Sequence, residues 1–337
     1  MNRNYKTLII AEAGVNHNGK LTLAKRLIDV AIKGGANIVK FQTFKTNLIL
    51  SKTAKKAEYQ IKSTGKNTSQ YSMIKKLELN YDDHVELIKY CRKNNIEFLS
   101  SPFDIESLKL LIKLKLKKIK IPSGEITNVE LLQEIGKLNK KVILSTGMST
   151  IKEIEKAIDI LKNAGTKKKN ITLLHCTSEY PTPMNEVNLK AILSMKKKFK
   201  TKVGLSDHTL GSEVAIAAVA LGAEVIEKHI TLNKKMLGPD HKASLNPKEL
   251  SYLVRSVRNI EKALGDGVKR PTKSEKKNIP IFRKYIVASK EIKKGDKFSN
   301  NNITIKRSGK GLEPYFIPKV LGKISKKNFE KDEIIKL

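Results

Sequence analysis

Eight short apolar runs recur through the first four-fifths of the chain, and each ends in polar, reactive residues. They are TLIIAEAG from Thr7, IVKFQT from Ile38, EFLSSPF from Glu97, KIKIPSGE from Lys118, KVILSTG from Lys141, ITLLHCT from Ile171, VGLSDHT from Val203 and VIEKHIT from Val225. Near-continuous apolar runs are what strands buried on both faces look like. Amphipathic helical patterns fill most of the gaps, at residues 21–34, 82–94, 106–114, 128–138, 151–165, 188–199, 211–222 and 247–264. Eightfold strand–helix alternation predicts an α/β fold of the (β/α)8 TIM-barrel type. The carboxyl ends of such strands face one mouth. Glu12, Lys40, Gln42, Lys120, Ser123, Glu125, Ser145, His175, Ser206, Asp207, His208 and His229 are therefore expected to converge on one pocket.

Two stretches depart from the alternation. Residues 44–81 are far longer than an ordinary connection, rich in Lys, Ser, Thr and Asn, and emerge at the mouth, which reads as a lid or substrate-covering loop. After residue 264 the helical pattern stops. Residues 265–280 (GDGVKRPTKSEKKNIP) lack apolar period and read as a linker. Residues 281–337 hold short β-type runs such as KYIVAS and ITIKRS between turns, a small module that is expected to lean on the barrel or on another subunit. The predicted organisation is a catalytic barrel at 1–264, a linker at 265–280 and a small β domain at 281–337.

Composition narrows the function classes. The 337 residues carry a formal charge of +34, which raises nucleic acid or an anionic membrane as partners. Arg supplies only eight of the 67 basic residues, the lysines are scattered over helix faces, and there is no Trp for base stacking. Neither a nucleic-acid nor a membrane partner is expected. The longest apolar stretch, residues 214–226, is broken by Gly222 and Glu224 and falls short of the roughly 20 residues a span needs. Two cysteines, Cys91 and Cys176, imply no disulfide framework, and a cytoplasmic protein is expected. Cys176 beside His175 resembles a nucleophile, but neighbouring strand residues face opposite ways, so only one of the two looks inward.

The candidate chemistry lies at the strand tips. His208 and His229 end the seventh and eighth runs, and strands about 4.8 Å apart would let them share a metal ion, with Asp207, Glu227 and His175 nearby. Ligand type alone allows zinc, cobalt or manganese. His17 and His241 fall in loops, and His84 heads a helix and reads as surface. Ser123, Ser145 and Ser206, with Lys40 and Lys120, suit a phosphate or carboxylate, since two inward ammonium groups need an anion beside them. Glu12 and Glu125 are candidates for proton transfer, with a Glu12–Lys40 salt bridge as the competing role for the first.

The runs IIAEAGVNHNG, VKFQT, KIPSGE, ILSTGMS, LHCT, YPTP, GLSDHT, EKHIT and GPDHKAS, taken in order, resemble the sialic acid (nonulosonate) synthase family over the whole chain. ITIKRSGKG is similar to the signature of its C-terminal antifreeze-like module (SAF, β-clip). The resemblance implies condensation of phosphoenolpyruvate with an N-acetylated mannose-type sugar, release of phosphate, and dependence on Mn2+. By motif it implies His208 and His229 as metal ligands. Lys40, Lys120, Ser123, Ser145 and Ser206 become phosphoenolpyruvate contacts, and Glu12, Gln42, Ser178, Tyr180 and Asp240 sugar-site positions. Glu12, Glu125 and Lys120 form the implied catalytic set. Arg307 corresponds to an arginine that reaches a partner's active site, which implies a domain-swapped homodimer. Ser178, where the family often carries Asn, and KAEYQ at residues 56–60 resemble the branch making legionaminic acid from a 6-deoxy sugar with two acetamido groups. N-acetylmannosamine, giving N-acetylneuraminate, is the other candidate. Rival readings are a Schiff-base aldolase using Lys120 or Lys40, a barrel synthase for a sugar phosphate, and a C-terminal module that binds carbohydrate or ice by itself.

Overall fold

A computed structural model describes residues 6–337. The apolar runs form parallel strands β1 (Leu8–Gly14), β2 (Ile38–Thr43), β3 (Glu97–Pro102), β4 (Lys118–Ile121), β5 (Lys141–Ser145), β6 (Ile171–Cys176), β7 (Lys202–Asp207) and β8 (Val225–His229). They hydrogen-bond in the order β3-β2-β1-β8-β7-β6-β5-β4. Strands β3 and β4 lie side by side and are tied by a Lys118–Glu97 ion pair, which brings the two ends of the sheet together as a barrel. Helices fill the predicted gaps, and a reciprocal Thr150–Glu153 capping box closes the start of helix Ile151–Asn163.

Strand parity divides the side chains into two sets. One set (Ile9, Ala11, Val39, Phe41, Ile119, Val142, Leu144, Leu173, Leu205 and Ile226) packs against the helical shell. The other points down the barrel axis, where Ile10, Ile38, Leu99, Ile143, Leu174 and Val225 form a separate apolar layer. One position in this layer has no room for a side chain. A Cβ on Gly204 would stand 2.3 Å from the Val225 carbonyl oxygen and 2.8 Å from Leu174 Cδ2.

Residues 44–81 are ordered into helices Thr46–Ile49, Glu58–Thr64 and Gln70–Lys75. Glu78 accepts from the Thr46 amide at 2.7 Å, and Lys56 Nζ donates to Thr64 Oγ1, Gly65 O and Thr68 Oγ1. Val15, Phe44 and Leu77 form a small core beneath this insertion, with Ile49, Ile74 and Phe103 packed against it.

The chain divides into two compact units between Asp266 and Gly267. The second has its own core of Ile286, Ala288, Ile292, Phe298, Ile303, Val320, Phe329 and Ile335, around the antiparallel pair Tyr285–Ala288 and Ile303–Lys306. The expected linker is not structureless, because Thr272 and Glu275 cap a helix at Lys273–Phe282. None of its side chains is buried, which is why no apolar period marked it. No helix among the described residues is long and apolar enough to cross a membrane.

The crowding at Gly204 predicts that Gly204→Ala destabilises the barrel by about 1–3 kcal/mol, the usual cost of overpacking. Chemical denaturation should show a lower midpoint with an unchanged slope.

Candidate active site

One turn of the strand pattern beyond the apolar layer, every strand contributes one more inward residue: Glu12, Lys40, Ser101, Lys120, Ser145, Cys176, Ser206 and Glu227. All eight line a cavity of about 520 Å³ at the carboxyl end of the barrel. Register sets the neighbours: Glu12 lies opposite both Lys40 and His229, and Ser206 opposite both Cys176 and Glu227.

The floor of the cavity is an ionic cluster. Lys40 Nζ lies 2.9 Å from Glu12 and 3.6 Å from Glu227, and Lys120 Nζ lies 3.5 Å from Glu227. Lys120 also donates to Ser145 Oγ at 2.6 Å, and Ser206 Oγ donates to Glu227 at 2.9 Å. Burial raises a carboxyl pKa, but at Glu227 the two ammonium groups and the Ser206 hydroxyl outweigh it and hold the group at about 2. At Glu12 burial wins over Lys40, with repulsion from Glu227 added, and the pKa rises to about 7. Burial likewise lowers Lys120, which Glu227 offsets only in part. The floor sets two lysines against an ionised Glu227 and a Glu12 that burial pushes toward its neutral form, an arrangement that suits an arriving anion.

Above the floor stand the two histidines. The His208 and His229 ring centroids are 5.7 Å apart. His208 Nδ1–H donates to Thr177 O at 2.6 Å, which leaves Nε2 as the lone-pair nitrogen. His229 Nδ1 is buried without a hydrogen-bond partner, 3.9 Å from Asp240. Burial lowers the pKa of His208 to about 4, and burial with repulsion from His208 and Lys40 holds His229 well below its ordinary value, so both rings are neutral, the form that binds metal. These donors fit a divalent cation, although no group of three or more His, Cys, Asp or Glu among the described residues is arranged to hold one. Tyr180 stacks on His208 at 4.1 Å and meets Tyr59 of the insertion at 5.0 Å. Burial raises Asp240 to about 6.

Most expected site residues meet here. Gln42 donates to Glu12 at 3.3 Å, and Ser123, Ser178, Tyr180 and Asp240 line the same cavity. Gly147 lets Ser123 and Ser178 approach, since a Cβ there would lie 2.3 Å from Ser178 Oγ and 2.8 Å from Ser123 Oγ. Several expectations are corrected. His175 faces away from the axis by parity and donates Nε2–H to Val187 O at 2.6 Å, while Cys176 looks inward. Asp207 also points outward, into a buried ion pair with Lys228 at 2.6 Å. Glu125 lies outside the cavity lining, in a short 3-10 turn where Asn128 donates to it at 2.7 Å. His84 is buried between Thr43 Oγ1 and Asn80 O. The two lysines share one carboxylate partner, Glu227. Arg307 belongs to the second unit, where its guanidinium lies 5.3 Å from the Phe282 ring centroid. His17 and His241 are buried but do not line the cavity.

Sequence reasoning missed Ser101, gave Glu227 only a supporting place, and quoted Tyr59 within KAEYQ without giving it a place in the site. Counting alternate residues up from Leu99 and Val225 finds Ser101 and Glu227. Tyr59 arrives from the insertion, where no strand period places it.

A parallel barrel with a polar layer at the carboxyl ends of its strands defines a TIM-barrel enzyme. Residues 27–269 match the NeuB family and residues 283–337 match the SAF domain. The chain is 58% identical to the N,N'-diacetyllegionaminic acid synthase of Campylobacter jejuni, over 98% of this chain and 99% of that protein. It is 44% identical to the synthase of the same name from Legionella pneumophila, over 93% of this chain and 89% of that one. A crystal structure of N-acetylneuraminic acid synthetase from Leptospira borgpetersenii in complex with citrate superposes with a TM-score of 0.71 at 37% identity, covering 82% of this chain and 92% of that one. The chain belongs to the NeuB family.

Cys176 is inward but ill suited to attack. Its thiol contacts Ser123 Oγ at 3.1 Å, and burial raises its pKa. Cys176→Ala should therefore keep turnover within about tenfold, since covalent catalysis would cost far more. A steady-state assay compares the two proteins.

Proposed function

We propose that the chain is a nonulosonate synthase that condenses phosphoenolpyruvate with 2,4-diacetamido-2,4,6-trideoxymannose, giving N,N'-diacetyllegionaminate and phosphate. The observation that carries this reading is the pairing of a floor that holds two buried lysines with two neutral imidazoles above it. The 58% identity to the Campylobacter synthase supports the diacetamido sugar. N-acetylmannosamine is the second reading, favoured by the likeness to the Leptospira structure.

Lys40, Lys120, Ser123, Ser145 and Ser206 would bind the carboxylate and phosphate of phosphoenolpyruvate with donors that need no further ionisation. That orientation aims the enol carbon at the aldehyde of the open-chain sugar. The new carbon–carbon bond takes the enol electron pair, and the aldehyde oxygen takes a proton. Water then adds to the cationic neighbouring carbon, a proton leaves, and cleavage of the carbon–oxygen bond releases phosphate and leaves the keto acid. Glu12, with a pKa of about 7, can give up or accept a proton at its carboxyl oxygens near neutral pH, whereas Glu227 stays ionised and holds the lysines in place. Gln42, Ser178, Tyr180 and Asp240 would position the sugar. Glu125, in the turn directly after the cavity-lining Gly124, would be the second carboxyl for proton transfer near the reacting centre. His208 and His229 would hold a divalent cation, manganese by family resemblance, which when bound polarises the aldehyde carbonyl as a Lewis acid.

The second unit would act as a lid. In this reading Arg307 contacts the sugar's N-acyl group in a partner's barrel, which makes the active unit a swapped homodimer. Both cysteines are free, consistent with a cytoplasmic enzyme.

The direct test is mass spectrometry of the product formed from phosphoenolpyruvate, Mn2+ and each candidate sugar. The mass of the diacetamido nonulosonate should dominate, and a chelator should abolish it. Lys120→Met should raise the KM for phosphoenolpyruvate at least tenfold and move that for the sugar much less. An unchanged phosphoenolpyruvate dependence would show that the lysine floor does not bind it.

Arg307→Ala and His229→Ala should each be inactive alone. After subunit exchange their mixture should regain part of the activity, because a heterodimer holds one barrel with intact His229 that receives an intact Arg307. Proven exchange without recovered turnover would count against the swap.

A further inference from the structure

The cavity has one wall that an anion and a polyhydroxylated sugar leave unexplained. Over the tips of β1, β2 and β3, the side chains of Val15, Phe44 and Phe103 meet Ile49 and Ile74 of the insertion, and all five line the cavity. Val15 and Phe44 are buried, but Ile49, Ile74 and Phe103 are only partly so. Apolar side chains left half-open in a binding cavity gain when an apolar group covers them. Two other sectors are already assigned, and the insertion adds polar Lys56, Gln60 and Gln70 beside the apolar wall. The ionic floor suits phosphoenolpyruvate, and the two imidazoles over β7 and β8 sit where the sugar's reacting carbon belongs. The end of the sugar farthest from the reacting carbon is left for the remaining wall.

We propose that this wall selects the sugar at carbon 6, taking a methyl group and disfavouring a hydroxymethyl group. The inference rests on the synthase reading and deepens it, since it makes residues 44–81 a specificity element as well as a cover. A hydroxyl placed against Ile49, Ile74 and Phe103 gives up its water and finds no partner there. An apolar pocket rejects an added hydroxyl only modestly, by about a hundredfold at most, so the effect is a preference.

The test uses two sugars that differ by one oxygen, N-acetylmannosamine and its 6-deoxy form, beside the diacetamido sugar, with phosphoenolpyruvate and Mn2+. The wild-type protein should favour the 6-deoxy member of the pair by about ten- to a hundredfold in kcat/KM. Ile74→Thr, which matches Ile74→Val in shape but carries a hydroxyl, should bring the ratio to within about threefold of parity. Ile74→Val should keep the wild-type ratio, and Ile49→Thr repeats the test from a second helix if the first variant folds poorly. Equal kcat/KM for the matched pair in the wild type, or a ratio that neither threonine variant moves, would overturn the apolar wall and leave the synthase reading standing. Absence of turnover with all three sugars would overturn both.

Discussion

The burial of four ionisable groups inside the barrel is the constraint on which the rest of the site depends. Lys40, Lys120, Glu12 and Glu227 sit on four different strands, each almost without solvent. Charges removed from water cost several kcal/mol apiece unless they compensate one another. The barrel supplies compensation through register, because Glu12 lies opposite Lys40 on the next strand, and Glu227 reaches both lysines. Compensation is incomplete, as the rise of Glu12 and the fall of Lys120 show. A fully neutralised floor would be stable and inert. One whose carboxylates only partly balance its lysines is poised to bind an anion.

A second buried pair, Lys228 with Asp207, is closed by its own hydrogen bonds, although burial still lowers the Lys228 ammonium below its ordinary range. Lys228 Nζ also donates to Thr209 O at 2.8 Å, and Asp207 accepts from the Thr209 amide and hydroxyl. These residues adjoin Glu227, Ser206 and His208 in sequence but face the helical shell. The closed network ties β7 to β8 from outside, while the open network inside stays free for substrate. Alternation of adjacent strand residues thus separates a structural ion pair from a functional one.

The same alternation explains what could be read before any coordinates. Eight strands and eight helices were legible because both faces of a parallel strand are apolar, which leaves long runs that end where the pocket begins. The gathering of Lys40, Lys120, Ser145, Ser206, His208 and His229 followed from strand position alone. His175 and Asp207 were misplaced because a strand-end position says nothing about which face a residue takes until an inward neighbour anchors the parity, as Leu174 and Ser206 do. The directions of Glu125 and Tyr59 were hidden for another reason. A 3-10 turn sets the first, and a helix of only seven residues, too short for its period to show, sets the second. His84 looked like a surface residue because it begins a helix, yet its ring is held by Thr43 on β2.

The charge of the chain acts at a different scale from the charge of the site. A formal +34 spread over scattered lysines makes a long-range field that draws anions of any kind toward the protein, and salt screens it over about 8 Å at physiological strength. Such a field speeds encounter without choosing among anions. Choice requires groups whose geometry is fixed and whose solvent is gone, and the Lys120–Ser145–Glu227–Ser206 chain meets both conditions. Its contacts are buried, so screening reaches them only weakly. Surface lysines therefore bear on the rate of arrival, while the floor decides which anion stays and how it is turned toward the imidazoles.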